Sequence, residues 1–281
     1  MKNLTLLFIT AIMIASCTKE DKTITQLVKF TVKPEFNIQF KKAAIRGLNL
    51  SLKEEGNIAM KLYLDDNNPN VLYVYSIWKN KDAHTIHGEK SYTKELQAIA
   101  KKSLAFKPEI MLLNKAKPYP IASKKINIED KEETLFFIFK VKEGNRERVL
   151  KQFEKHIAHT RKEQGNLFFD LYTVEGDENT FVVYENWRNA SAIWNIHMKQ
   201  PYAEETGALL NKVIIGKLEA GMNFVSELND EVLNTTYALE KQWEVSGFSM
   251  PESVFAASNH MWLYVSNVNP QNGAFLDSPS F

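Results

Sequence analysis

The chain carries one module twice, and the landmarks of the two copies recur at a fixed spacing. Gly56 and Gly165, Asn57 and Asn166, Tyr63 and Tyr172, Tyr75 and Tyr184, and Trp78 and Trp187 each lie 109 residues apart (187 − 78 = 109). A self-match this regular restricts the chain to two related domains in tandem. The period is too long for a solenoid repeat and suits one small domain. Function is then to be sought in what the copies share and where they differ.

Each copy reads strand, helix, strand, strand, helix, strand. Val28, Phe30 and Val32 alternate along the first segment, as do Phe137, Phe139 and Val141 in the second copy. Period two over six residues predicts a strand with one buried face. Residues 37–55 then place Phe40, Ala44, Ile45, Leu48 and Leu52 near a helical stripe, and residues 146–164 do the same with Val149, Leu150, Phe153 and Ile157. Gly56 and Gly165 stand where a glycine cap would end each helix. Two hairpins follow, 58–64 with 71–78 and 167–174 with 181–187, on alternation and turn chemistry. A second helix is expected near 82–101 and 190–210, and a last strand at 109–113 and 222–226. This is the split βαβ order of a ferredoxin-like α+β domain. The expected domains are 25–114 and 133–228, joined by a lysine- and proline-bearing linker at 115–132.

The ends read differently. Residues 1–16 hold one basic side chain, Lys2, an apolar run from Leu4 to Ile14, and the small pair Ala15-Ser16 before Cys17. That is a secretory signal, too short to be a spanning helix. Ile14-Ala15-Ser16-Cys17 resembles a bacterial lipoprotein box, which implies acylation of Cys17, the single cysteine; the alternative is a plain secretory signal. The expected location is the bacterial cell envelope, with the protein held to the membrane by a lipid anchor and residues 17–24 as tether. Thr18-Lys19-Glu20-Asp21 resembles the lysine-acidic signals that send some lipoproteins to the outer surface, though a solvated tether reads the same. Removing residues 1–16 leaves 34 basic and 34 acidic side chains (35 − 1 = 34). That balance gives no electrostatic footprint for nucleic acid.

Past Leu228 the repeat stops. Trp243, Gly247-Phe248, Pro251-Glu252-Ser253-Val254 and Leu263–Asn267 resemble the opening strand pair of gluconolactonase-type β-propellers. An opening fragment cannot bury its strands alone. Residues 229–281 are therefore expected to be a propeller-like fragment or a C-terminal extension.

The densest chemistry in the modules is Tyr184-Glu185-Asn186-Trp187, followed by Ala192, His197, Pro201 and Tyr202; the first copy has Tyr75-Ser76-Ile77-Trp78, Ala83, His87 and Tyr92. This Glu-x-Trp strand end, with an alanine and then a histidine on the next helix, resembles the antibiotic-biosynthesis monooxygenase family of dimeric α/β-barrels. The Gly-Asn step before the second strand fits the same pattern, and the resemblance covers about 90 residues of each copy. It implies that the two copies form within one chain the pair that two subunits form elsewhere. It also implies oxidation of a small quinol or phenol by molecular oxygen with no cofactor. A phenolate is electron-rich enough to reduce oxygen, so the protein need only bind it, remove a proton and stabilise the oxyanion.

On that resemblance the second copy is the expected site. His197 would be the acid/base, Asn186 a donor to a substrate oxygen, and Glu185 an orienting group. Trp187, Trp194, Tyr172 and Tyr202 would supply walls, with Trp78 and His87 as their counterparts in the first copy. Ser76 and Ile77 replace Glu185 and Asn186 there, which suggests a structural partner. A non-catalytic module that binds a small apolar ligand is the competing class, and an accessory to a propeller hydrolase is a third. His84/His87 and His156/His159 sit at i, i+3 without a third ligand nearby, so no metal is expected. No dinucleotide fingerprint, phosphate loop or nucleophile elbow occurs.

Overall fold

In the computed structural model, which describes residues 23–234 and the strands at 251–256 and 263–267, both copies take the expected order. The first runs β1 (Ile24–Thr31), α1 (Asn37–Ser51), β2 (Asn57–Asp65), β3 (Val71–Trp78), α2 (Lys81–Glu89), α3 (Ser91–Ser103) and β4 (Glu109–Lys115). The second runs β5 (Glu133–Lys140), α4 (Arg146–Thr160), β6 (Asn166–Val174), β7 (Asp177–Trp187), α5 (Pro201–Val213) and β8 (Met222–Glu227). Within a module the strands lie antiparallel in the order β4-β1-β3-β2, and β8-β5-β7-β6 in the second.

The two sheets close on each other as one eight-stranded barrel. Each module's last strand pairs with the outer strand of the other: β8 with β2 from Tyr63↔Glu227 to Asp65↔Val225, and β4 with β6 from Leu113↔Val174 to Lys115↔Tyr172. Closure satisfies both free edges, which an isolated ferredoxin-like sheet leaves open. The chain is its own pseudo-dimer.

Strand alternation divides the apolar residues between two layers. Leu27, Tyr63, Tyr73, Tyr75, Phe136, Tyr172, Val182 and Tyr184 point into the barrel and mix both modules. Phe137, Phe139, Val149, Phe153, Ile157, Phe169, Phe181 and Trp187 form the separate core between the second sheet and its helices. The linker lies along the edge of β6, with Ala116 N–H donating to Leu171 O and Lys124 N–H to Leu167 O. Arg161 donates to the carbonyls of Pro118 and Tyr119, and Arg188 to that of Lys125 and to the Asp130 carboxylate.

Three local expectations are corrected. The first helices end at Ser51 and Thr160, not at the glycines. Gly56 and Gly165 serve another purpose: a Cβ on either would sit 2.4 Å from the Cβ of Ala83 or Ala192, so they let the next helix close on the turn. The long second helix is broken in both copies, because Lys90 and Gln200 take extended backbone (ψ 143° and 139°), and Pro201 then opens α5. In the second copy a π-helical turn, Ala192–Ile196, precedes the break. It accommodates one extra residue, so landmarks beyond it run at 110, as in His87/His197 (197 − 87 = 110) and Tyr92/Tyr202 (202 − 92 = 110).

Residues 1–22, with the expected signal and Cys17, lie outside the described part, as does most of 235–281. There, β9 (Pro251–Ala256) and β10 (Leu263–Asn267) pair antiparallel. They form a two-stranded sheet, and nothing further supports the propeller likeness. No helix among the described residues is long and apolar enough to cross a membrane.

Candidate active site

The space between sheet and helices is treated differently in the two modules. In the first it is a cavity of about 750 Å³, lined by β1, β2 and β3 on one side and α1, α2 and α3 on the other. In the second the corresponding space is filled by side chains. The cause can be read position by position at the 109 offset, or 110 beyond the π turn. Val28, Ala44, Gly47, Met60 and Ala100 line the cavity, where the second copy has Phe137, Phe153, His156, Phe169 and Leu210. Each replacement is larger, so all five take volume out of that space in the second module.

One end of the cavity carries its chemistry. His87, on α2, gives Nδ1 to the Glu54 carboxylate (2.7 Å to Oε1), and its ring lies against Trp78 with centroids 4.3 Å apart. Tyr92, at the start of α3, donates its hydroxyl to the same Glu54 oxygen. A carboxylate only accepts, so Nδ1 carries a proton in this pair, and Nε2 is the ring nitrogen turned away from Glu54. Burial and the Glu54 contact push the Tyr92 hydroxyl up to about 12, which keeps it a donor at neutral pH. Beside them His84 Nε2 meets Gln26 Oε1 at 2.9 Å. Burial first, and His87 second, lower the pKa of His84, so it stands as a neutral ring.

The second module repeats the constellation. His197 Nδ1 meets Glu163 Oε1 at 2.7 Å, Tyr202 donates to the same oxygen at 2.5 Å, and Trp187 lies 4.6 Å from the His197 ring. Glu54 and Glu163 are again 109 apart (163 − 54 = 109). They were missed in the sequence, although each stands two residues before a landmark glycine. Here, however, His197 is only 4% exposed. His156 packs edge-on against it, with centroids 5.0 Å apart. Burial, with His197 next, lowers the pKa of His156 to about 3. His156 Nε2 and Glu163 Oε2 have no hydrogen-bond partner among the described residues.

The other residues expected around His197 do not gather there. Glu185 does face it and accepts from the Trp187 indole at 2.8 Å. Asn186 is the next residue on β7, so its side chain takes the opposite face of the sheet and donates to Glu132. Tyr172 lies inside the barrel, hydrogen-bonded to Tyr75 at 2.9 Å. Trp194 is 45% exposed and rests on Phe224, 6.0 Å between centroids. Of the predicted residues, Trp78 and His87 line the open cavity. The second copy was the expected site, whereas the open cavity lies in the first. No group of three or more His, Cys, Asp or Glu able to hold a metal occurs among the described residues.

An eight-stranded α+β barrel closed by two ferredoxin-like modules, each with a Glu-His-Tyr cluster beside a strand-end tryptophan, is a dimeric α/β-barrel built within one chain. The family model described as antibiotic biosynthesis monooxygenase matches residues 23–99 and 134–208, and the chain belongs to that family. A Bacillus subtilis (strain 168) protein named "Putative monooxygenase YcnE" is 41% identical over 54 residues, which is 19% of this chain and 57% of that protein. The chain thus spans little more than half the length of this curated relative.

Among solved structures, a "Putative monooxygenase" from Fusobacterium nucleatum superposes with a TM-score of 0.63 at 18% identity, over 74% of this chain and 93% of that one. An "anthrone oxidase-like protein" superposes with a TM-score of 0.56 at 15% identity, over 75% and 93%. Both likenesses extend over more of this chain than either module and show the shared fold.

Proposed function

We propose that the protein is a monooxygenase working from its first module, with a hydroxylated aromatic compound, a quinol or phenol, as substrate and molecular oxygen as oxidant. The observation that carries this reading is the open cavity ending on His87, Tyr92 and Trp78, with Glu54 hydrogen-bonded behind His87 and Tyr92. An aromatic ring at the closed end of the cavity brings a hydroxyl to His87 Nε2, whose ring is backed by Trp78. His87 takes the proton, Glu54 stabilises the imidazolium that results, and the electron-rich phenolate meets oxygen in an apolar enclosure. For a hydroquinone, one oxygen atom enters the ring, the other leaves as water, and the product is a hydroxyquinone. The electrons come from the substrate, so the chain's residues need only bind it and move protons.

Oxygen consumption by the purified protein against a panel of hydroquinones and polyphenols, with metal chelator present, tests this. His87→Ala should lower the rate by about 100-fold, the ordinary worth of a general base. His197→Ala should leave kcat within a few-fold in the fraction that folds. Equal losses in both variants, or no turnover above autoxidation, would refute the assignment.

We further propose that Cys17 is acylated and holds the protein in the cell envelope. Sedimentation with membranes that is lost in Cys17→Ser would support the anchor, and unchanged partitioning would remove it.

A further inference from the structure

The cavity of the first module is graded from polar to apolar along β1, β3, α1 and the inner face of α3, while α2 adds His84 and His87 at the polar end and β2 only Met60 and Leu62. On β1 the cavity-facing residues run Gln26, Val28, Phe30; on β3, Trp78 and Ser76 give way to Val74. On α1 the order is Ser51, then Leu48 and Gly47, then Ala44; along α3 it is Tyr92, Leu96, Ala100, with Leu104 at its end. The strand pairing puts Gln26 opposite Ser76, and Ala105 N–H donates to Thr31 O, so these series share one polar and one apolar end.

The end at Leu104 is the open one, and its rim adds Gln97, Lys101 and Lys107 to the apolar residues. Every exposed residue of the lining lies between 97 and 110, and among them Phe106 is 71% and Ile110 59% exposed. The ring-binding groups are therefore at the closed end, and a ligand's hydroxyls reach them only if they enter first. The α3 stretch from Tyr92 to Leu104 is about 18 Å long, far more than one aromatic ring requires.

We infer that the ligand of this cavity is a head-and-tail molecule. Its hydroxylated aromatic ring sits at Trp78 and His87, and a linear aliphatic chain lies along Leu96, Ala100 and Leu104 and leaves past Phe106 and Ile110. This names the substrate class of the site assigned above and rests on the first module being that site.

The test is a chain-length series with the purified protein. Dissociation constants are measured by calorimetry for 5-alkylresorcinols bearing one to eleven carbons, below their critical micelle concentrations. Binding should tighten about three- to fourfold per added methylene. It should level off when the chain reaches the mouth, after about eight carbons on the 18 Å length. Ala100→Leu installs the residue that the second copy carries as Leu210. It should make the series level off several carbons earlier while leaving the one-carbon homologue unchanged. Phe106→Ala, at an exposed position, should weaken only the long homologues.

Affinity independent of chain length, or an equal loss for all homologues in Ala100→Leu, would overturn the inference. Oxygen uptake with the matching alkylhydroquinones separates the two readings. Turnover indifferent to chain length leaves the oxidase and removes the tail. Chain-dependent binding without turnover leaves the tail and removes the oxidase.

Discussion

Glu185 shows how one buried residue can work against the fold that holds it. Burial pushes its carboxyl from 4.5 up to about 7, opposed by His197 and by the Trp187 indole. A carboxyl that holds its proton longer when folded favours folding at low pH and loses that contribution as pH rises from about 4.5 through about 7. The loss is at most about 3 kcal/mol, since each pKa unit is worth about 1.4 kcal/mol. His156 acts in the other direction: its pKa is lowered from 6.5 to about 3, so its contribution is complete above 6.5 and is lost as pH falls toward 3. Glu185→Gln keeps an acceptor for Trp187 and removes only the first effect. Thermal unfolding at two pH values should show the variant more stable than the parent at pH 8 and level with it at pH 4.5. Equal melting temperatures at pH 8 would mean that Glu185 is ionised in the fold without cost. Its counterpart in the open module is Ser76 (185 − 76 = 109), which carries no such charge into the cavity wall.

At the scale of elements, the contact between each α1-type turn and the following helix rests on a missing methyl group. Gly56→Ala would put a Cβ 2.4 Å from that of Ala83, and neither the turn nor the helix start has a flexible side chain to yield. A cost of about 1–3 kcal/mol is expected in urea unfolding, as for overpacked cores. Gly47 tests the explanation: a Cβ there meets only Leu96 Cδ2 at 3.8 Å. Gly47→Ala should be neutral or slightly stabilising, because alanine is the better helix former. Similar costs at both positions would disprove the close-approach argument. The landmark glycines were legible from the repeat, but their role was not, because a cap and a close approach both select glycine. The same limit governs the site. Alternation along β7 could already have separated Asn186 from Glu185, and the offset of 109 could have found Glu54 and Glu163. Which copy is hollow depends on the summed volumes of Gly47, Ala44 and Val28 against His156, Phe153 and Phe137, residues that sequence places on two separate segments of each copy. The π turn further hides the correspondence by shifting His197 and Tyr202 by one residue.

At the scale of the whole molecule, the barrel interior is where side chains of the two modules pack together. Four tyrosines meet there in two hydrogen-bonded pairs, Tyr63 with Tyr184 at 2.5 Å and Tyr75 with Tyr172 at 2.9 Å. Each pair takes one residue from each module, and the repeat exchanges them, since Tyr63 maps to Tyr172 and Tyr75 to Tyr184. Burial is the leading cause that raises all four hydroxyls above their ordinary pKa, so they remain neutral donors and acceptors to each other. Tyr63→Phe leaves the Tyr184 hydroxyl buried without its partner, at about 1–3 kcal/mol. Tyr184→Phe does the same to Tyr63. The double variant removes both groups together and should cost less than the sum of the singles, with a coupling of about 1–2 kcal/mol. Chemical unfolding followed by two probes, tryptophan fluorescence and far-ultraviolet circular dichroism, should give one coincident transition for the two modules of the parent. Zero coupling across the pair, or two resolved transitions, would mean that the modules fold as neighbours rather than as one barrel. The swapped closure of β2 on β8 and β4 on β6 would then be adding little beyond covering the sheet edges.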